Sequence, residues 1–123
     1  MRRPTILLAD DYPLICEAVQ GLLEPEFQVI GRAGDGLAML RMAADLKPDV
    51  VLIDVGMPVL NGLAAGRELK KLMPQVKLIF LSMNPDPDIQ NEAQRIGASG
   101  FILKTVMGEE LLGMVQNAMR EGE

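Results

Sequence analysis

The stretch Asp49-Val50-Val51-Leu52-Ile53-Asp54 places four branched apolar residues between two carboxylates. Its apolar positions do not alternate, so it does not suit a strand with one wet face. A short unbroken apolar run of this kind suits a strand covered on both sides, as in a parallel sheet. Four more segments of strand length lie around it: Thr5 to Asp10, Gln28 to Ala33, Lys77 to Ser82 and Gly100 to Lys104. Those starting at Thr5 and Lys77 are also nearly continuous in apolar residues.

The intervening segments carry helical spacing. Leu14, Ile15, Ala18, Val19, Leu22 and Leu23 predict one apolar stripe, and Leu111, Leu112, Val115, Ala118 and Met119 predict another. Weaker stripes run through Leu37, Leu40, Ala43 and Ala44, and through Ala65, Leu69, Leu72 and Met73. Between Ile89 and Ile96 only Ile89, Ala93 and Ile96 are apolar, which predicts the least firmly anchored helix. Asp86-Pro87 reads as its N-cap and first turn. Lys47-Pro48 and Met73-Pro74 read as helix stops. The resulting order, βαβαβαβαβα, predicts an α/β fold with a parallel sheet, helices on both faces and right-handed crossovers.

Composition bounds the rest. The chain has 123 residues, enough for one domain with its own core, and 49% of them are apolar. No apolar run approaches the ~18 residues of a membrane span. Met1-Arg2-Arg3 precedes too short an apolar run for a signal peptide, which points to the cytoplasm. The absence of histidine excludes a His metal site, a Ser-His-Asp triad and an internal phosphohistidine relay. Net charge is −5, and an acidic chain with few aromatic residues is a poor nucleic-acid binder. The single cysteine, Cys16, cannot form an internal disulfide and reads as a buried structural thiol. The polar tail Arg120-Glu121-Gly122-Glu123 is where a linker would begin.

Ligands of open α/β sheets sit at the C-terminal ends of the strands. Asp10 and Asp11 end the first predicted strand, Asp54 the third, Ser82 the fourth and Lys104 the fifth. The second ends in Arg32-Ala33-Gly34, with no obvious ligand group, and so reads as an edge strand. If the other four lie side by side, three carboxylates, a hydroxyl and an ammonium converge. Clustered carboxylates repel one another, and a hard divalent ion with oxygen ligands relieves this; Mg²⁺ suits a site open to water and phosphate. A carboxylate there can attack phosphorus while ammonium and hydroxyl stabilise the transferring oxygens. Singly, each residue has a plainer reading: Asp11 could cap the first helix, and Ser82 and Lys104 could be ordinary surface groups. Only the joint placement points to a pocket.

On these residues the chain resembles a response-regulator receiver domain over nearly its whole length. The matching pieces are Leu7-Leu8-Ala9-Asp10-Asp11, Asp49 to Asp54, Met57-Pro58, Asn61-Gly62, Leu81-Ser82 and Gly97 to Lys104. Ala9-Asp10-Asp11-Tyr12-Pro13-Leu14 and the ending at Lys104-Thr105 are similar to receivers joined to LuxR-type helix-turn-helix outputs. The resemblance implies a doubly wound, five-stranded, flavodoxin-like sheet of order 2-1-3-4-5 with five helices. It implies that residues 1–123 form the N-terminal receiver of a longer regulator with a DNA-binding output.

It further implies roles. Asp54 takes a phosphoryl group from a sensor histidine kinase or phosphotransfer protein. Asp10, Asp11, Asp54 and the Gly56 carbonyl hold Mg²⁺, with Asp10 acting mostly through water. Ser82 and Lys104 bind the phosphoryl oxygens. Ser82 and Phe101 then switch, remodelling the surface of the fourth helix, fifth strand and fifth helix. A phosphorylation-dependent homodimer, through the fourth helix or the first and fifth, is expected. The domain is regulatory rather than an enzyme in its own right, though it assists its own phosphoryl transfer and dephosphorylation. Four positions depart from the common pattern: Gly56, Met83, Phe101 in place of Tyr, and Thr105 in place of Pro. Three other readings compete. A flavin- or nucleotide-binding module would want a Gly- or Ser/Thr-rich phosphate loop after the first strand, where Asp10-Asp11 stand. A degenerate receiver would act as a phosphorylation-independent interaction module. A Mg²⁺-dependent phosphatase-like enzyme would want Asp-x-Asp, but Asp54-Val55-Gly56 lacks the second acid.

Overall fold

The inner strands must bury two faces, and the chain supplies a helix layer for each. The structure is a computed structural model and describes residues 3–24 and 26–121. The charged start at Met1 and Arg2 and the end of the polar tail at Gly122 and Glu123 lie outside them. Strands β1 (Thr5–Ala9), β2 (Gln28–Ala33), β3 (Val50–Asp54), β4 (Lys77–Ser82) and β5 (Gly100–Leu103) form one parallel sheet of order β2-β1-β3-β4-β5. Helices α1 (Pro13–Leu23), α2 (Gly36–Leu46), α3 (Gly62–Leu72), α4 (Pro87–Ile96) and α5 (Met107–Arg120) alternate with them. The expected class, order and element count are therefore observed. Two strand ends differ: Asp10 lies just past β1, and Lys104 opens a 3₁₀ turn, Lys104–Val106.

Residue parity divides the core. Ile6, Leu8, Val50, Leu52, Ile79, Leu81 and Ile102 point to one face and pack on α1 and α5 through Val19, Leu23, Leu111 and Val115. Leu7, Ala9, Val51, Ile53, Leu78 and Phe80 point to the other and pack on Met39, Ala43, Ala65 and Leu69 of α2 and α3. The unbroken apolar runs follow from this. By contrast β2, at the edge, leaves Gln28 and Arg32 exposed, and its pairing with β1 shifts register between Ile6 and Leu7.

The helix stripes need correction in detail. In α1 the buried line is Cys16, Val19 and Leu23, while Leu14 is 79% exposed. Two residues turn a helix by about 200°, so Leu14 lies opposite Cys16. Met39, absent from the predicted stripe, anchors α2, whereas Leu37 and Ala44 are exposed. At the last position of α3, Leu72 is 65% exposed. Helix α4 buries only Ala93, and its polar side pairs with α3 through Arg67 and Glu92, with Arg95 also on Glu92 at 3.1 Å. Exposed pairs of this kind are screened by solvent and hold little, so α4 is the weakly held helix its sequence predicts. Asp86 caps it, accepting from the Asp88 amide at 2.9 Å, with Pro87 in the first turn. Leu46 and Leu72 end α2 and α3 before the two prolines, as expected.

The loop from β3 to α3 is tightly packed. An added Cβ on Gly62 would lie 2.1 Å from the Asp54 carbonyl oxygen and 2.7 Å from Val55 Cα. Those contacts are backbone and cannot move aside. Three residues earlier, Val59 is exposed with φ +68°, and the Leu60 amide donates to the Pro58 carbonyl across it at 2.8 Å. A β-branched residue in the left-handed region is strained. Gly62→Ala is expected to lower unfolding free energy by about 2–4 kcal/mol. Val59→Asn, which tolerates that conformation, is expected to raise it by about 1 kcal/mol. Urea titration of both variants reads the opposite signs directly.

Candidate functional site

The sheet register sets how the chemical groups meet. Ala9 pairs with Ile53, which brings Asp10 level with Asp54. Leu81 pairs with Asp54 and Leu103 with Ser82, so Ser82 stands one step past the level of Asp54 and Lys104, just beyond β5, two steps. Lys104 has a long stem that can reach back. Its ammonium lies 2.7 Å from Asp10 Oδ2 and 3.4 Å from Asp54 Oδ1. The sequence-predicted Asp10, Asp11, Asp54, Ser82 and Lys104 thus gather at one end of the sheet. Asp10, Asp54, Ser82 and Lys104 are buried, and Asp11 is exposed.

Hydrogen bonds fix the loops that carry these groups. Asp10 Oδ1 accepts from the Tyr12 amide at 2.9 Å, which turns the chain out of β1. Asp11 does not cap α1; the N-cap is Tyr12 and makes no side-chain hydrogen bond. Asp54 Oδ1 accepts from the Gly56 amide at 3.2 Å and faces Lys104. Asp54 Oδ2 has no hydrogen-bond partner among the described residues and is left to the cleft. Ser82 Oγ donates to the Asn84 carbonyl at 3.0 Å and accepts from the Asn84 amide at 3.1 Å. An open cleft of about 300 Å³ is lined by Asp54, Gly56, Ser82, Met83 and Lys104, with Tyr12 at its edge. Phe101 is half-buried against the α2–α3 core and lines a separate groove beside α4.

Electrostatics at the site are strained and then partly relieved. Burial pushes the Asp54 carboxyl above its ordinary range, while the Gly56 amide and Lys104 pull it back without cancelling the rise. For Lys104, burial alone would lower the pKa, but the Asp10 and Asp54 carboxylates outweigh it and hold the ammonium above its usual value. Burial likewise raises Cys16, whose thiol donates to the Asp10 carbonyl at 3.5 Å; this fits a structural role.

The donor set fits a hard divalent cation. Asp10, Asp11 and Asp54 each present a carboxylate oxygen within 4.8 Å of the others. Asp10 Oδ2 is fully buried and, although ion-paired with Lys104, makes no well-directed hydrogen bond, so acceptor capacity remains unused. Three oxygen ligands with one exposed carboxylate suit Mg²⁺ better than a soft metal. Of Gly56, the described contact is its amide; an added Cβ there would meet nothing nearer than the Asp54 carboxylate at 3.9 Å.

Three neighbours were not expected at the site from the sequence. Tyr12 places its ring 5.5 Å from the Lys104 ammonium. Arg32, in the strand end read as bare, borders the depression that holds Asp10 and Asp11. Ile89, expected to anchor α4, lines the cleft instead. Single residues of these types have no spacing signal, and only the fold brings them here.

Comparison with known proteins agrees with the architecture. The profile described as "Response regulator receiver domain" matches residues 6–116. Transcriptional regulatory protein DegU of Brevibacillus brevis is 34% identical over 119 residues, covering 95% of this chain and 50% of DegU. The nitrate/nitrite response regulator protein NarL of Escherichia coli K12 is 33% identical over 117 residues, covering 93% of this chain and 54% of NarL. The signal receiver domain of the putative response regulator NarL from Mycobacterium tuberculosis superposes with a TM-score of 0.91 at 28% identity, covering 98% of each chain. The chain spans about half the length of the curated relatives it matches. No described helix is long and apolar enough to cross a membrane. The chain belongs to the response regulator receiver domain family.

Proposed function

We propose that this receiver accepts a phosphoryl group on Asp54 from the phosphohistidine of a sensor kinase or phosphotransfer protein. The supporting observation is the setting of Asp54: a carboxylate with one free oxygen, facing an open cleft, with Lys104 Nζ 3.4 Å away. Asp54 Oδ2 would attack phosphorus while the donor's phosphorus–nitrogen bond breaks. The electron pair of that bond leaves on the imidazole. Lys104 would shift from the two carboxylates to a phosphoryl oxygen. Ser82 would exchange the Asn84 carbonyl for another phosphoryl oxygen. Asp10, Asp11, Asp54 and the Gly56 carbonyl would hold Mg²⁺, which when bound supplies positive charge to the acidic cluster and the phosphoryl oxygens.

The consequence would travel along β4 and β5. Loss of the Ser82–Asn84 turn frees the segment entering α4, the helix with least buried surface. Phe101, beside the α4 groove, would follow Ser82. The remodelled α4–β5–α5 surface would control an output, and a homodimer through α4, or through α1 and α5, is the expected assembly. Residues 1–123 would be the N-terminal receiver of a longer cytoplasmic regulator whose output binds DNA, as the names of DegU and NarL, regulatory proteins, encourage. The domain would assist its own phosphorylation and dephosphorylation and catalyse no other reaction.

Acetyl phosphate with Mg²⁺ should add the mass of one phosphoryl group, and Asp54→Asn should remove that addition; an unchanged intact mass sinks the proposal. Millimolar Mg²⁺ alone should raise the melting temperature by mass action, and no shift would argue against the acidic cluster as its site. A pH series in divalent-free buffer tests the burial of Asp54. Its folded pKa is raised, so its contribution to stability is present below the unfolded value and lost as pH rises through the folded one. Asp54→Asn should therefore melt higher than the parent at neutral pH, and the difference should close in acid.

A further inference from the structure

We infer that Met83 is a site of reversible oxidation that gates the Asp54 cleft. Nine methionines are present, one of them Met1, outside the described residues. Of the other eight, Met39, Met57 and Met107 are buried and four are half-buried. Met83 alone is exposed, at 60%. Its position has a structural cause. The two hydrogen bonds between Ser82 and Asn84 close a turn around it, leaving Met83 as the middle residue, turned outward. The same turn makes it a wall of the cleft that also contains Asp54, Ser82 and Lys104.

A hydroperoxide is the oxidant. The thioether sulfur attacks the terminal peroxide oxygen, the O–O bond breaks, and the proton lost from the hydroxyl now on sulfur passes, directly or through water, to the departing oxygen, which leaves as water or an alcohol. The sulfur is oxidised to a sulfoxide, and methionine sulfoxide reductases reverse the change. Oxidation replaces a flexible apolar group with a strong dipole whose oxygen is a hydrogen-bond acceptor. That oxygen opposes an approaching anionic phosphodonor. It also competes for the Ser82 hydroxyl, which the phosphoryl group requires. The other candidate for oxidation, Cys16, is buried and has its thiol held protonated by its surroundings, so it lacks both access and thiolate character.

The gating rests on Asp54 being the phosphoacceptor, and the experiment separates the two. Limited hydrogen peroxide treatment of the whole folded chain, followed by peptide mass mapping, should place an added oxygen on Met83 several-fold faster than on any other of the eight described methionines. That sample should then take up phosphoryl from acetyl phosphate and Mg²⁺ several-fold more slowly than untreated protein. Methionine sulfoxide reductases A and B together should restore the rate. The rate of Met83→Leu, whatever its starting value, should not change with peroxide. Equal oxidation at another of the eight described methionines overturns the site. Unslowed uptake by Met83-oxidised protein overturns the gating. Failure of untreated protein to take up phosphoryl overturns the reading of Asp54 before any peroxide is added, and the gating with it, while the mapping judges the oxidation site alone.

Discussion

Three carboxylates held within one cation's reach are the constraint around which this domain is organised. Parallel register makes the crowding unavoidable, because Asp10 follows β1 at the level where Asp54 ends β3. Their mutual repulsion is offset by Lys104, whose ammonium is drawn between Asp10 and Asp54 from the far side of β4. One ammonium cannot balance three carboxylates, and the local excess of negative charge is what leaves the pocket receptive to a divalent ion. The rest of the fold is arranged to hold that excess in place. The two aliphatic layers fix the strands, and the Gly62 contact fixes the loop leaving Asp54.

The sheet was legible because its strands are buried on both sides. Unbroken runs such as Val50 to Ile53 carry length and burial in the same residues, and the bare end of β2 marked it as an edge. The strand-end groups were legible only as a set, since each alone has a plainer explanation. Helix faces were less so. Leucines at Leu14 and Leu72 read as core by type, yet a helix chooses its buried side by the angle at which it meets the sheet, and that angle is a tertiary property. Met39 carries more of the core than the leucines around it for the same reason. Tyr12 and Arg32 reach the site through loop geometry that no local pattern encodes.

Stability is unevenly distributed over the molecule. The layer made by α1 and α5 is built from large aliphatic side chains in close contact. On the opposite face α4 contributes one buried alanine and a pair of exposed ion pairs. The acidic pocket thus sits on well-packed strands, while the surface carried by α4 is held by few buried contacts. The soft element adjoins the pocket through the Ser82–Asn84 turn and Ile89, so a change at Asp54 has a short path to the part that can yield.

The register shift between β1 and β2 has a meaning for the life of this chain in a crowded cell. An open sheet exposes two rows of unpaired amides and carbonyls, and a flat edge invites a foreign strand. Here the irregular pairing at Ile6 and Leu7 disturbs the β2 edge, which also carries the charge of Arg32, while β5 at the other edge is only four residues long. Neither offers a long, straight template for β-aggregation.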